Sequence, residues 1–469
     1  MTENALLWAP SAWLPGGWAR GVLLDAGLDG TWSRIATGIL DPPPQAERLA
    51  GPVLPGLVNA HSHAFQRAFA GLTERRERED DDFWSWREHL YRIAARIEPA
   101  QLQAIAAQLY LELLRVGYTH VCEFHYLHHR PDGSLYQDPL EMTWALALAS
   151  AEAGMPLTLL PVLYERAGFD QSALAPAQRR FRADADQVWA MQVAIASRHA
   201  AGVRAGIAVH SLRAAAPASI ARLRALAEHF AGPIHIHVAE QAREVEQCRA
   251  ALGARPIEWL ARDGGGLDSR WHLVHATHVT SAEIELVGRS GAGVVLCPTT
   301  EANLGDGLAD LPAWLSADVP ISIGSDSQVT RTWREELRCL EYGQRLIRRA
   351  RNISAAPAQG QPSTAARLLD RTLQGGAAAA GFDRWGFQIA ARADLLVVDR
   401  SDSSLLGIPD SHLLDALVFS SPGRPWRDVM VSGRWQIKDH QHPAAAQVAA
   451  RFEQVMEQLW RQPGPPTHT

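Results

Sequence analysis

The chain has 469 residues, of which 47% are hydrophobic and 20% are charged, and its net charge is −6 at pH 7. This length allows one large domain and a smaller one, and the composition is that of an ordinary globular protein. The negative charge, and the lack of a basic cluster with interleaved aromatic residues, argue against a nucleic-acid or anionic-membrane partner.

The N-terminal residues Met1–Ala5 lack the basic start and apolar core of a secretory signal, and no run of about 18 apolar residues predicts a membrane span. The cysteines are scattered and form no CxxC pair: Cys122, Cys248, Cys297 and Cys339. We therefore expect reduced thiols in a cytoplasmic protein, without a disulfide framework or a cysteine zinc site.

Residues 1–54 are rich in Trp, Gly and Pro, and they contain two predicted strands, Ala5–Trp8 and Gly21–Asp25. Short apolar runs then recur and are predicted as strands: Leu57–Ala60, Thr119–Phe124, Leu157–Tyr164, Val203–Val209, Ile234–Val238, Trp271–His275, Gly293–Cys297 and Pro320–Gly324. Most are separated by segments of helical character, such as Gln101–Arg115, Ile220–His229 and Ala282–Ser290. This alternation predicts an α/β fold, a (β/α)₈ TIM-like barrel whose apolar strands are covered on both faces.

The end of the chain again predicts strands, at Ala393–Asp399 and Val429–Trp435, followed by a helix at Pro443–Arg461 and a frayed tail at Pro463–Thr469. We predict a small β-sandwich domain formed from both chain ends. Residues 1–54 and 385–440 would form it, residues 55–384 the barrel, and residues 441–469 a terminal helix and tail.

Three segments of biased composition are predicted to lack regular structure. Glu74–Asp82 is predicted to be a solvated loop, and its place after the first barrel strand leaves a lid role open. Ser354–Ala365 and Gly375–Ala380 are predicted to be connectors.

His61 and His63 follow the apolar run Val53–Val58 at the end of the first barrel strand. Side chains at positions i and i+2 of a strand share a face, so both imidazoles point the same way. A single His-x-His pair is a weak signal among 19 histidines. Further His, Glu and Asp residues at later strand ends make it a candidate metal pair.

The fifth predicted strand offers a third imidazole, His237, with Glu240 three residues later. Glu240 could there reach a metal-bound water without ligating the metal. His235 shares a face with His237 in a regular strand, so the spacing alone does not decide which of them binds.

His275 ends the sixth predicted strand, His278 follows it in the loop, and Asp326 ends the last strand. Three nitrogens with one carboxylate and a water suit a catalytic zinc or iron(II). Such a metal lowers the pKa of its bound water from the high value of bulk water to about 7. Each candidate lies at the carboxyl end of a strand, where barrel enzymes keep their active sites.

This pattern, with His61-x-His63, His237, His275 and Asp326 on strands 1, 5, 6 and 8, resembles the amidohydrolase superfamily. The fourth strand ends in Val209-His210-Ser211, without the lysine that would bridge two metals. The resemblance therefore implies one divalent metal ion, Zn²⁺ or Fe²⁺, as in the deaminases of the superfamily.

Longer segments are similar to the formimidoylglutamate deiminases of histidine degradation, in matching order from about residue 50 to 440. They are His61–Gly71 (HSHAFQRAFAG), Phe83–Arg87 (FWSWR), Glu123–His129 (EFHYLHH), His210–Arg213 (HSLR), His237–Gln241 (HVAEQ), Thr300–Gly307 (TEANLGDG) and Glu341–Arg345 (EYGQR). The resemblance implies a metal-dependent hydrolase that converts N-formimino-L-glutamate to N-formyl-L-glutamate and ammonia, and it favours a homodimer.

The resemblance also implies roles for individual residues. The metal ligands would be His61, His63, His237 and Asp326; the catalytic residues Glu240, His275 and Asp326; and the substrate-binding residues Gln66, Arg87, Tyr126, His210 and Arg213. A substrate with two carboxylates requires cationic partners, and the planar fork of arginine is suited to them.

One position departs from the family, since Gln328 stands where histidine is usual. This departure bears on the Asp326 loop and on the identity of the substrate. The alternative function is that of another superfamily deaminase, acting on guanine or a related heterocycle, but a neutral purine does not need two arginines. A non-catalytic scaffold barrel would have lost its ligands, and a dicarboxylate-binding module would have no use for Glu240.

Overall fold

The structure, a computed structural model, describes residues 5–76, 82–171 and 173–461. The N-terminal strands are β1 (Ala5–Leu14), β2 (Gly17–Ala26), β3 (Trp32–Ala36), β4 (Glu47–Arg48) and β5 (Val53–Leu54). The middle strands are β6 (Leu57–Ser62), β7 (Tyr118–His125), β8 (Leu157–Leu163), β9 (Val203–Ala205), β10 (Ile207–Val209), β11 (Ile234–Val238), β12 (Trp271–His275), β13 (Gly293–Leu296) and β14 (Ile321–Ile323). The C-terminal strands are β15 (Leu395–Val398), β16 (Trp426–Val431) and β17 (Arg434–Ile437).

The α-helices are α1 (Phe83–Ala94), α2 (Pro99–Arg115), α3 (Glu141–Ala153), α4 (Ala185–Ser197), α5 (Pro217–Leu226), α6 (Ala242–Leu252), α7 (Pro256–Arg262), α8 (Ser281–Ser290), α9 (Pro298–Leu304), α10 (Leu311–Ser316), α11 (Trp333–Arg348), α12 (Thr364–Ala379), α13 (Leu413–Phe419) and α14 (Ala445–Trp460). Some helices begin at a capping side chain. Asp82, for example, begins α1 by accepting hydrogen bonds from the backbone N–H groups of Trp84 and Ser85, at 2.9 and 3.1 Å. None of the described helices is long and apolar enough to cross a membrane.

The middle strands form a parallel barrel in the order β14-β13-β12-β11-β10-β8-β7-β6, with β9 paired to β8. The predicted α/β barrel is thus confirmed. Its first and last strands meet through a parallel bridge between Ser62 and Asp326, and the Asp326 N–H donates to the His61 carbonyl at 3.0 Å. The predicted strand Val203–Val209 is interrupted at Gly206, where Leu160 leaves no room for a Cβ atom.

As predicted, both chain ends combine in a second, largely antiparallel sheet; its strand order is β17-β16-β15-β5-β1-β2-β3. One detail of that prediction was wrong: residues 429–435 are not a single strand. Ser432 and Gly433, with φ of 50° and 72°, turn the chain between β16 and β17. The domain boundaries given above stay predictions.

The segment Gly375–Ala380, predicted as a connector, instead belongs almost entirely to α12. Its glycines allow the helix to approach the strands closely, since a Cβ on Gly375 would collide with the Ile321 carbonyl and one on Gly376 would lie 3.0 Å from Val58 Cβ. Composition predicted a connector here, whereas the small residues serve close packing.

The carboxyl end of α12 lies at the amino-terminal ends of the barrel strands. Barrel side chains donate hydrogen bonds to its last carbonyls: His235 Nε2 to Ala379 O at 2.8 Å, and Thr158 Oγ1 to Ala380 O at 3.0 Å. The helix therefore covers the barrel end opposite Asp326.

Two predictions fall on residues outside the described part of the chain. The acidic segment Glu74–Asp82 includes residues 77–81, and the predicted tail Pro463–Thr469 lies within residues 462–469.

Candidate active site

The carboxyl ends of β6, β11, β12 and β14 bring His61, His63, His237, His275 and Asp326 together, and all five side chains are buried. The Nε2 atom of His61 lies 3.1 Å from that of His63 and 3.0 Å from that of His237. Asp326 Oδ1 lies 3.4 Å from Nε2 of both His61 and His63. The predicted metal ligands therefore form one cluster.

The chemistry of this cluster suits a divalent metal ion. His63 Nδ1 lies 3.0 Å from the Phe124 carbonyl, which only accepts, so Nδ1 carries the ring hydrogen and Nε2 presents a lone pair. Burial lowers the pKa of His61 to about 3 and also lowers the pKa of His63 and His237, which keeps the imidazoles neutral. Zinc–nitrogen bonds of 2.0–2.1 Å place tetrahedral ligand atoms about 3.3 Å apart, close to the separations seen here.

His275 lies beside this cluster and between three carboxylates. Its Nε2 is 3.6 Å from Glu240 Oε1 and 3.8 Å from Asp326 Oδ2, and its Nδ1 is 3.3 Å from Glu301 Oε1. Burial alone would lower the pKa of His275, but Glu240 and Glu301 outweigh it and raise that pKa well above its usual value. The part of Glu301 in orienting this ring was not predicted from the sequence.

Glu240 and Asp326 are carboxyl groups with opposite pKa shifts. Burial raises the pKa of Glu240 to about 7. Burial would also raise the pKa of Asp326, but the hydrogen bond to His61 and the positive charge of His275 outweigh it and lower that pKa. Such divergence is typical of acid and base groups in active sites.

The backbone beneath these groups is unusual. Ala239, His275 and Asp326 have φ values of 51°, 70° and 45°. Non-glycine residues rarely adopt this left-handed conformation, and it is concentrated at functional sites. The Glu240 N–H donates to Glu244 Oε2 at 3.0 Å, and this hydrogen bond anchors the backbone directly after Ala239.

A pocket opens beside the cluster. All the predicted substrate-binding residues line it: Gln66, Arg87, Tyr126, His210 and Arg213. Further lining residues were not predicted from the sequence: Phe83, Trp86, Leu90, Tyr91, Tyr164 and Leu304. The sequence could have indicated Tyr91 as a pocket residue, because it follows Arg87 by four residues and therefore lies on the same face of a helix.

Arg87 and Arg213 reach the pocket by packing on the same indole. Their guanidinium carbons lie 4.4 and 5.5 Å from the Trp84 ring centre, and that of Arg243 lies 4.7 Å from it. Within the described residues neither Arg87 nor Arg213 has a carboxylate partner, and Arg213 Nη1 is buried without a hydrogen bond. The pocket wall therefore carries positive charge suited to an anionic ligand.

Gln328 is buried and holds the Asp326 loop to the first barrel strand. Its Nε2 donates to Ser62 Oγ at 3.0 Å and to the Asp326 carbonyl at 2.8 Å. Its Oε1 accepts from Ser325 Oγ at 2.8 Å. The amide therefore organises this loop.

Two other histidines lie apart from the cluster. His235 bonds to Ala379 at the opposite end of the barrel, and His278 Nε2 donates to the Asp306 carbonyl at 2.7 Å. Asp306 was not singled out from the sequence. One of its carboxylate oxygens nevertheless lies within 4.8 Å of a carboxylate oxygen of Glu240 and of a ring nitrogen of His275.

Comparison with known proteins identifies a matching family, similar relatives and a similar solved structure. The model of the amidohydrolase family matches residues 53–436. A formimidoylglutamate deiminase of Pseudomonas aeruginosa is 45% identical over 459 residues, which cover 97% of this chain and 99% of the relative. A 5-methylthioadenosine/S-adenosylhomocysteine deaminase of Natronomonas pharaonis is 28% identical over 391 residues, covering 83% and 82%. The crystal structure of an amidohydrolase from Brucella melitensis matches with a TM-score of 0.91 and 40% identity, covering 97% of this chain and 100% of that one.

Proposed function

The chain belongs to the amidohydrolase family, and from this premise we propose that it hydrolyses N-formimino-L-glutamate to N-formyl-L-glutamate and ammonia. The similarity to a formimidoylglutamate deiminase over almost the whole of both chains supports this substrate. The observation that carries the proposal is the pair Arg87 and Arg213, which face a pocket next to Glu240 without carboxylate partners among the described residues.

His61, His63, His237 and Asp326 would hold one divalent ion, either Zn²⁺ or Fe²⁺. When bound, this ion supplies Lewis-acid chemistry and makes water acidic enough to attack at neutral pH. The remaining steps depend on how the protein's own groups place the substrate and move protons.

Asp326 accepts the proton of the attacking water, and His275, 3.8 Å from Asp326 Oδ2, orients that water. Glu240 carries a proton to the departing nitrogen. With a pKa near 7, Glu240 can take up and release a proton at neutral pH, as a general acid–base group must. The water oxygen becomes the formyl oxygen, the carbon–nitrogen bond breaks, and the nitrogen leaves as ammonia.

Arg87 and Arg213 would bind the two carboxylates through bidentate hydrogen bonds. Gln66, Tyr126 and His210 supply further polar contacts; Gln66 Nε2 donates to the Tyr126 hydroxyl at 3.5 Å. Burial, reinforced by the charge of Arg213, lowers the pKa of His210, so its ring stays neutral beside the substrate.

The alternative, deamination of guanine or a related heterocycle, leaves these two arginines without a function, because a neutral purine has no carboxylate. A small-molecule dicarboxylate is therefore the proposed partner. The homodimer and the cytoplasmic location stay predictions.

The proposal is tested by measuring ammonia release from N-formimino-L-glutamate, N-formimino-L-aspartate and guanine, with metal quantified in the same sample. We expect N-formimino-L-glutamate to have the highest kcat/KM and the active protein to contain about one equivalent of metal. Preferred turnover of guanine would contradict the proposal.

A further inference from the structure

Two tyrosines that have no role in the steps above line the same pocket as Arg87. Tyr91 lies one helical turn after Arg87 on α1, and the Arg87 guanidinium carbon is 5.6 Å from its ring centre. Tyr164 follows β8 and is 3% exposed. The two hydroxyl oxygens are 3.4 Å apart.

Gln178, itself 2% exposed, fixes the hydrogen bonding of both hydroxyls. Its Oε1 accepts the backbone N–H of Ala175 at 3.0 Å, which defines the orientation of the amide. Its Nε2 then donates to the Tyr164 oxygen at 2.8 Å and to the Tyr91 oxygen at 3.1 Å. Each phenol oxygen is therefore an acceptor toward Gln178 and must direct its own hydrogen elsewhere.

The described part of the protein does not offer hydrogen-bond acceptors for both phenolic hydrogens. At most one of them can lie between the two oxygens. In the described part of the chain, neither oxygen has a hydrogen-bond partner beyond Gln178 and the other tyrosine. At least one hydroxyl hydrogen is thus left for whatever occupies the pocket. Burial raises the pKa of Tyr164 well above its usual value, which keeps this hydrogen in place.

We infer that Tyr91 and Tyr164, oriented by Gln178, form a hydroxyl-donor subsite that binds a substrate carboxylate together with Arg87. The inference rests on the proposed function and adds specificity-determining residues to it. An arginine and a phenol beside the same anion both donate, and hydrogen bonds to a charged acceptor are the stronger ones.

The first experiment uses metal-loaded protein with Tyr91→Phe, Tyr164→Phe and the double substitution. Calorimetry gives Kd for N-formyl-L-glutamate, and steady-state kinetics give KM and kcat for N-formimino-L-glutamate. We expect the double variant to raise Kd and KM by about tenfold to a hundredfold, with kcat changing less than about threefold.

Tyr136→Phe is the matched control. The Tyr136 hydroxyl donates to Glu98 Oε2 at 2.7 Å, and Tyr136 does not line the pocket. This variant loses a phenol hydroxyl from a buried site and should leave Kd, KM and kcat unchanged. Thermal unfolding of every variant shows whether the fold is intact.

Gln178→Glu is a second test that leaves both tyrosines in place. A carboxylate has nearly the same shape as the amide but accepts where the amide donates, so it draws the phenolic hydrogens away from the pocket. We expect Kd for N-formyl-L-glutamate to rise at least about tenfold.

Wild-type Kd and KM in the double phenylalanine variant, or a loss confined to kcat, would overturn the inference; so would wild-type binding in Gln178→Glu. A wild-type protein that neither binds nor processes these compounds would instead contradict the proposed function itself.

Discussion

His61 and His237 lie 176 positions apart in the chain, yet their Nε2 atoms face each other at 3.0 Å. His235 lies on the same strand as His237, but its Nε2 donates to the Ala379 carbonyl at the opposite end of the barrel. The two histidines of β11 thus have different environments, although the spacing of the sequence did not distinguish them.

The first prediction uses this difference. His237→Ala removes one of three clustered nitrogens and should reduce bound metal well below one equivalent and abolish activity. His235→Ala, the matched control on the same strand, should lower stability while retaining metal. Metal is measured by mass spectrometry on dialysed protein; full occupancy in His237→Ala would contradict the ligand assignment.

The second prediction concerns proton transfer. Glu240→Gln keeps the shape of the side chain but cannot exchange protons. Metal content should be unchanged while kcat falls by about two to four orders of magnitude. Wild-type turnover would show that Glu240 does not carry the proton.

The third prediction concerns carboxylate recognition. Arg87→Ala or Arg213→Ala leaves a substrate carboxylate unpaired in the pocket, at a cost of roughly 2–5 kcal/mol in binding. Each should lower kcat/KM for N-formimino-L-glutamate at least about thirtyfold. Substitution by lysine should restore only part of this, because an ammonium group cannot form the bidentate fork.

A neutral amidine is the control substrate for these arginine variants. Its turnover should hardly change, which separates carboxylate recognition from general damage to the site. Unchanged turnover of N-formimino-L-glutamate in both alanine variants would favour the heterocycle deaminase alternative.

The fourth prediction concerns Gln328. Gln328→Leu keeps the volume but removes hydrogen bonds to Ser62 and to the Asp326 carbonyl. Removal of a group that orients a metal ligand typically lowers the affinity for the metal 10- to 100-fold. Competition with a chelator should show a weakening of about that size, and an unchanged affinity would limit Gln328 to a structural role.

The fifth prediction is a dependence of stability on pH. Burial raises the pKa of Glu336, which accepts hydrogen bonds from Thr299, to about 8. Between pH 4.5, the ordinary pKa, and 8, the unfolded state has lost this proton while the folded state keeps it. The free energy of unfolding therefore falls as the pH rises through this range.

Glu336→Gln removes that contribution. Relative to wild type, the variant should gain stability from pH 5 to pH 8, as measured by denaturant titration at each pH. A constant difference between the two proteins would show that Glu336 is ionised in both states.

The recurrence of short apolar runs between helical segments predicted the barrel, because each strand is one such run. The same signal placed His61, His63, His237, His275 and Asp326 at strand ends, where parallel topology brings them together. Arg87 and Arg213 lie outside the strands, so the apolar runs carried no information about them, and only the resemblance identified them.

The features that the sequence did not predict depend on contacts between segments that are distant along the chain. Tyr91, Tyr164 and Gln178 come from three separate segments, and their shared hydrogen bonds exist only in the folded chain. The glycines of α12 were misread for a similar reason, since the close approach that requires them involves Ile321 and Val58, distant in sequence.

The position of α12 has a consequence for the order of events during synthesis. Thr158 and His235 emerge from the ribosome long before residues 379 and 380, whose carbonyls accept their hydrogen bonds. Until then these side chains have no acceptor there, and the barrel base exposes apolar surface to water. A nascent chain shorter than about residue 380 should therefore bind chaperones and be cut by proteases, and resistance should begin once α12 has docked.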